Sequence, residues 1–184
     1  IAIIDSGVAN FASVEAALAR LGANAQVTAD PAVIRSADRV ILPGVGAAKA
    51  AMNFLTAKGL APVIRSLTQP VLGICLGMQI MFPHTEEGDQ NGLNLIAGQV
   101  RRLSSAPDRP VPHMGWNRLN IVQPASPLLR GVSTGERVYF VHSYAAPATA
   151  TTLASTSYGT DFSAVVQQNN FMGCQFHPER SGAV

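Results

Sequence analysis

Two stretches of this 184-residue chain carry residue types that could do covalent chemistry together. The first is Gly73-Ile74-Cys75-Leu76-Gly77, which follows an apolar run and opens a helical pattern. A Gly-x-nucleophile-x-Gly run between strand and helix forms a sharp elbow; its glycines remove side chains that would collide where the backbone turns, leaving the nucleophile exposed at the tip. A cysteine there stands at a helix N-terminus, where the dipole favours thiolate. The second stretch is Gln175-Phe176-His177-Pro178-Glu179-Arg180, at the end of another apolar run. Pro178 restricts His177 to extended geometry, and Glu179 is close enough to orient the imidazole through its other ring nitrogen. Together Cys75, His177 and Glu179 supply what acyl transfer from an amide needs: an attacking group, a proton shuttle to the leaving nitrogen, and a group that fixes the shuttle's tautomer. Taken singly, each stretch also fits a structural role, as a small buried cysteine after a core strand or a loop histidine in a turn. The other histidines, His84, His113 and His142, have no carboxylate placed in this way. Cys174 shares a strand face with Phe176 and is expected in the core, without chemistry.

The elements that must position these residues alternate through the first half. Residues 1–5 are apolar without alternation, as in a strand buried on both faces. Asn10 is placed to cap a helix over 11–21 in which Val14, Ala17, Leu18 and Leu21 share one face, and Gly22 closes it. Residues 25–28 read as a second strand, and Asp30-Pro31 as an N-cap followed by proline at the first helical position. A third strand over 39–42 ends in Pro43-Gly44-Val45-Gly46. Helices are expected at about 47–57 and 60–67, with a fourth strand over 71–74. This rhythm predicts a parallel sheet with right-handed crossovers, whose C-terminal edge is where sites of open α/β sheets collect. After Gly88, short strand candidates over 97–103, 117–122, 137–141, 151–156, 163–168 and 171–176 are separated by turn residues and predict antiparallel additions to one edge. The expected fold class is α/β: one domain over 1–184, with a mostly parallel central sheet flanked by helices and antiparallel edge strands.

Hydrophobic residues make up 47% of the chain and charged residues 13%, which suits one large core and a partly apolar surface that a partner could cover. The net charge is only +2, with no basic block, so the electrostatic footprint of a nucleic-acid binder is missing. The apolar stretch over 71–82 is interrupted by Gly73 and Gly77 and is too short to span a membrane. No charged segment precedes a signal-like core, and two cysteines make a poor disulfide framework. The chain is therefore expected to be soluble and cytoplasmic, with both thiols reduced. It has no initiator Met and stops just past the His-Pro-Glu run, so a closing C-terminal helix is expected to be missing.

Taken together, these segments resemble the class I (triad) glutamine amidotransferases over nearly the whole chain and in the expected order. Within that group the likeness is to the glutaminase subunits of imidazole glycerol phosphate synthases, from histidine biosynthesis. It is carried by Ile3-Ile4-Asp5-Ser6-Gly7 with Asn10, Leu42-Pro43-Gly44-Val45-Gly46 and Gly73-Ile74-Cys75-Leu76-Gly77-Met78-Gln79. Pro112-His113-Met114-Gly115-Trp116-Asn117, Phe140-Val141-His142-Ser143-Tyr144 and His177-Pro178-Glu179-Arg180-Ser181 add to it. The segment over 112–117 discriminates best, because the elbow and triad are shared with sister glutaminases of the anthranilate and pyridoxal phosphate types. Ser6 and Ala9 stand where many relatives carry tyrosine and glycine.

The resemblance implies hydrolysis of L-glutamine to glutamate and ammonia, with Cys75 as nucleophile, His177 as proton shuttle and Glu179 as its orienting group. It implies an oxyanion hole built from the backbone N–H of Val45, beside Gly46, opposite that of Leu76. Glycines on both sides of Val45 would let that peptide turn over. Gln79, Glu87 and the backbone of Ser143 and Tyr144 would hold the amino-acid end of the substrate, with Glu87 on its ammonium. The implied partner is a (β/α)8-barrel cyclase that accepts ammonia through its interior and makes imidazole glycerol phosphate and an aminoimidazole carboxamide ribotide. Asn10, Trp116 and Arg180 are expected at that interface. No cofactor, metal, nucleic acid or membrane is implied. A catalytically dead scaffold would have no reason to keep Cys75, His177 and Glu179.

Overall fold

The computed structural model describes residues 1–182, and an eight-stranded sheet forms its centre. β1 (Ala2–Ile4), β2 (Gln26–Thr28), β3 (Val40–Gly44) and β4 (Val71–Cys75) run parallel in the order β2-β1-β3-β4. The strand Phe171–Cys174 continues the parallel set beside β4. Thr160–Gln168, Thr152–Tyr158 and Asn120–Ile121 then extend the sheet antiparallel.

Alternating side chains along the inner strands go to opposite faces and build two cores. Ile4, Leu42 and Val71 share one core with Ile34 of α2 (Pro31–Ser36), Leu55 of α3 (Ala48–Ala57) and Ile64 of α4 (Leu60–Arg65). Ile3, Ile41 and Ile74 face the other, with Val14 of α1 (Phe11–Arg20), Phe140 and Phe162. Both faces are covered, which is why these strands are apolar throughout. The helix starts follow the sequence: the Ser13 N–H donates to Asn10 Oδ1 at 3.3 Å, and the Ala32 N–H donates to Asp30 Oδ1 at 2.8 Å. Among the described residues no helix is long and apolar enough to cross a membrane.

The second half departs from the expected pattern in three places. The strand Phe171–Cys174 is parallel to β4 instead of an antiparallel addition, because the chain returns to it through the outer strands from the far side of the sheet. The single strand expected over 117–122 is two strands: His113–Arg118 pairs with Arg137–His142 in a separate two-stranded sheet, and Asn120–Ile121 joins the main one. Over 97–103 only Arg101–Arg102 is strand, paired with Tyr144–Ala145; the residues before it loop over Phe82, where Gly98 takes φ +132°.

The glycines of the elbow are set by close approach to neighbouring backbone. A Cβ on Gly77 would collide with the Leu42 carbonyl oxygen, and one on Gly73 would meet the Met78 nitrogen at 2.7 Å. The turn into α5 (Leu76–Gln79) is thus pressed directly against β3. Backbone cannot move aside as a side chain can, so Gly77→Ala should cost roughly 3 kcal/mol or more. For a chain of this size that lowers Tm by roughly 6–12 °C. Thermal melting followed by circular dichroism checks this, and an unchanged Tm would contradict the contact.

Candidate active site

Cys75 ends β4 with φ +53° and ψ −108°, a conformation L residues rarely adopt. The chain folds back there from strand into α5, and Leu76 takes the first helical position, where N–H groups have no intrahelical acceptor. In the neighbouring parallel strand Cys174 stands opposite Ile74, so the next residue, Gln175, lies alongside Cys75. The Gln175 Nε2 approaches the Cys75 Sγ at 3.8 Å, and the Sγ lies 3.9 Å from the Val141 carbonyl oxygen.

His177 follows on the same strand exit. Its N–H donates to the Tyr139 carbonyl at 2.9 Å, and Ser181 Oγ donates to its carbonyl at 2.6 Å. Its Nδ1 donates to Glu179 Oε1 at 2.8 Å, with both side chains buried. That leaves Nε2, buried and without a hydrogen bond among the described residues, for the cysteine. Burial alone would lower the His177 pKa. The nearby Cys75 sulfur, the hydrogen bond to Glu179 and the charges of both groups outweigh it and push the pKa up to about 10. An imidazolium beside the sulfur is the arrangement that favours thiolate. Cys174 is buried, with its thiol pushed up first by burial and then by the charges of Glu179 and Cys75; its Sγ lies 3.8 Å from the Gly73 carbonyl oxygen. It belongs to the core, as expected.

Beside this group is a cavity of about 210 Å³ lined by Gly46, Gln79, Glu87, Pro112, Val141, His142, Ser143 and Tyr144. The expected substrate residues are thus brought together, although two also serve the protein itself. Gln79 Nε2 donates to the Tyr144 carbonyl at 2.7 Å and to Gln175 Oε1 at 3.0 Å. Glu87 Oε2 accepts from the Ala48 N–H at 2.7 Å, capping α3 from across the chain because Ala47 has no side chain able to do so. The expected oxyanion donor at Val45 is engaged within the chain. Its N–H donates to the Val8 carbonyl at 2.8 Å, so it is not free to serve a substrate here. Gly46, next to it, has φ +86° and lines the cavity. A larger cavity of about 400 Å³ lies between α1 and the sheet on the Glu179 side, but residues such as Val14, Leu18, Ile41 and Ile74 make it a poor fit for a polar substrate.

Of the expected interface residues, Trp116 is 54% exposed beside Met114 at 63%, whereas Asn10 and Arg180 are exposed at the start of α1 and in the 3-10 turn Pro178–Arg180. Asn10 also caps α1. Several residues of the site were given no role from the sequence. Gln175, His113 and His142 are buried polar side chains, and Ser181 ties the His177 carbonyl to the Tyr139 N–H at 3.1 Å. Ser6, fully buried, donates to the Pro43 carbonyl at 3.0 Å. The usable signal was a polar residue inside an apolar run, as in Phe171-Met172-Gly173-Cys174-Gln175-Phe176. His84 does find a carboxylate, Asp89 at 2.8 Å, but that carboxylate is exposed.

A strained cysteine elbow at the C-terminal edge of a parallel sheet, facing a buried His–Glu pair, defines a class. Residues 2–183 match the family Glutamine amidotransferase class-I, and the chain belongs to it. A solved glutamine amidotransferase shares the fold with a TM-score of 0.76 at 16% identity, over 97% of this chain and 90% of that one. Closer in sequence is the imidazole glycerol phosphate synthase subunit HisH of Shewanella oneidensis, 50% identical over 100% of this chain and 90% of that protein. The subunit of the same name from Xylella fastidiosa is 51% identical over 98% of this chain and 90% of its own length.

Two measurements check the site. Iodoacetamide at neutral pH should label Cys75 before Cys174, and His177→Ala should slow the Cys75 reaction by about tenfold or more. Peptide mass spectrometry reads both. Separately, burial lowers His113 and His142 to about 4, with the charges of His113 and His177 adding at His142 and the Tyr144 carbonyl opposing. The unfolded chain then binds protons that the folded one refuses between about pH 6.5 and 4, so each imidazole makes stability fall on acidification by at most about 1.4 kcal/mol per pH unit. Urea midpoints from pH 7 to 5 should therefore fall less steeply for the double variant His113→Phe/His142→Phe than for the parent.

Proposed function

We propose that this chain is the glutaminase subunit of an imidazole glycerol phosphate synthase in the cytoplasm, hydrolysing L-glutamine and passing ammonia to a (β/α)8-barrel cyclase partner. The observation that carries the reading is a strained Cys75 elbow and a buried, Glu179-bound His177 whose pKa that cysteine helps to raise, beside a polar cavity. The 50% identity to a HisH subunit supports the choice of synthase.

In this reading the Cys75 thiolate attacks the side-chain amide carbon of glutamine, and the Leu76 N–H donates to the oxyanion that forms. The carbon–nitrogen bond then breaks as His177 Nε2 gives its proton to the departing ammonia. Water attacks the resulting thioester, His177 takes its proton, and the sulfur leaves as glutamate is released. Glu179 keeps Nε2 facing the reaction throughout. Gln79, Glu87 and the Ser143–Tyr144 backbone hold the amino-acid end. Asn10, Trp116 and Arg180 face the cyclase, which keeps ammonia from escaping into water.

The Val45 N–H bonded to Val8 supports a resting state in which one oxyanion donor is withheld. Turning the Gly44–Val45 peptide would restore it, and one such donor is worth roughly 10²–10³ in kcat. Ligand bound to the cyclase is the proposed trigger, so ammonia release should rise by about that factor when the ligand is added to the complex. In the same assay Cys75→Ala should lose roughly 10³-fold or more. Equal rates for parent and Cys75→Ala would overturn the enzyme reading; equal rates with and without ligand would overturn the switch.

A further inference from the structure

We propose that His113 and His142 are positioning residues for the glutamine pocket: together they hold the Tyr144 carbonyl so that Gln79 must turn its amide nitrogen inward and present its Oε1 to the ligand. This deepens the reading of the cavity as the glutamine site and rests on it.

The polarity of the whole network follows from one atom. A backbone carbonyl can only accept. Gln79 Nε2 lies 2.7 Å from the Tyr144 oxygen, so the Gln79 amide nitrogen must point there. The same nitrogen meets Gln175 at 3.0 Å, which makes the Gln175 atom an oxygen and turns the Gln175 nitrogen toward the Cys75 sulfur. Gln79 lines the cavity and has only its Oε1 left to offer there.

On the other side, His142 Nδ1 lies 2.9 Å from the same carbonyl oxygen and must donate. Neutral His142 then has a bare Nε2, which accepts from His113 Nδ1 at 3.0 Å. His113 Nε2 is in turn left to accept from Asn117 Nδ2 at 3.3 Å, while that nitrogen also donates to the Ser157 carbonyl at 3.0 Å. Protonating His142 would set a second N–H against the His113 N–H, donor against donor. Each ring nitrogen is thereby committed, and both side chains are held in the Nδ1–H tautomer.

The surroundings are aromatic: His113 stacks on Tyr158 at 4.0 Å and on Phe140 at 4.9 Å, and His142 meets Phe162 at 5.1 Å. Phenylalanine would pack there without needing partners, so two buried imidazoles have to be explained by what they hold. The strand that carries His113 and Asn117 inward shows Met114 and Trp116 outward, and His142 itself lines the cavity. Neither imidazole hydrogen-bonds to Cys75, so they act through Tyr144 and Gln79.

The test is glutamine hydrolysis by the complex with its cyclase, comparing parent, His142→Phe and His142→Asn. His142→Phe should raise KM about tenfold while kcat changes less than about threefold, and His142→Asn, whose amide nitrogen can replace the Nδ1–H, should stay within about threefold of the parent KM. Loss of fold alone would not be rescued by asparagine. Nitrogen-15 NMR of the parent imidazoles at pH 7 supplies a readout independent of the variants, and both should be neutral Nδ1–H tautomers. A parent-like KM in His142→Phe, an asparagine variant as poor as the phenylalanine one, or an Nε2–H tautomer at His142 overturns the proposal. A parent complex that releases no ammonia overturns the glutaminase reading itself.

Discussion

The residues that would do chemistry lie far apart in the chain, and one ladder of backbone hydrogen bonds joins them. β4 and the strand Phe171–Cys174 pair in parallel, Val71 with Phe171 through to Ile74 with Cys174. Because both strands exit at the same edge, the cysteine and the histidine emerge side by side. A slip of one residue would move His177 by roughly 3.3 Å and turn every side chain of that strand to the opposite face. The register is locked by burial on both sides, Cys174 and Phe176 facing one core and Phe171 the other. Packing of the sheet therefore determines whether the sulfur has a proton-transfer partner at all.

Much of the remaining architecture serves to keep that junction in a conformation it would not choose alone. A non-glycine residue at the elbow dihedrals costs on the order of 1–3 kcal/mol. The strain is sustained by close contact between α5 and β3, which Gly73, Gly77 and Gly44 permit. Around it a set of buried polar groups, Gln79, Gln175, His113 and His142, is almost fully hydrogen-bonded within the chain. Beside them, His177 Nε2 and Glu179 Oε2 are buried with no partner among the described residues. The unpaired imidazole nitrogen is the one that faces the sulfur, which is where a reaction would use it.

Local chemistry made the first half of the fold readable. Asn10, Asp30-Pro31 and the unbroken apolar strands each announced themselves by short-range rules, and the elbow and His-Pro-Glu run named the reacting groups. What was misread or left open depends on long-range choices. The direction of Phe171–Cys174 is set by which strand it meets, not by its own residues. Leu119 is buried between two short strands that belong to different sheets, a break that the run over 117–122 does not reveal. The Val45 N–H could serve Val8 or a substrate, and only the folded backbone decides. His113 and His142 were given no role because their partners are a main-chain oxygen and each other, and neither leaves a mark in spacing.

The chemistry requires the Cys75 sulfur to be the atom that takes the acyl group. The most direct measurement is acid quenching of the complex during glutamine turnover, followed by mass spectrometry of its cysteine peptides. A glutamyl adduct on the Cys75 peptide, absent from the Cys174 peptide and lost on hydroxylamine treatment as a thioester should be, is the predicted result. Steady ammonia release with the adduct on another residue, or a Cys75→Ala chain that still forms one, would contradict it.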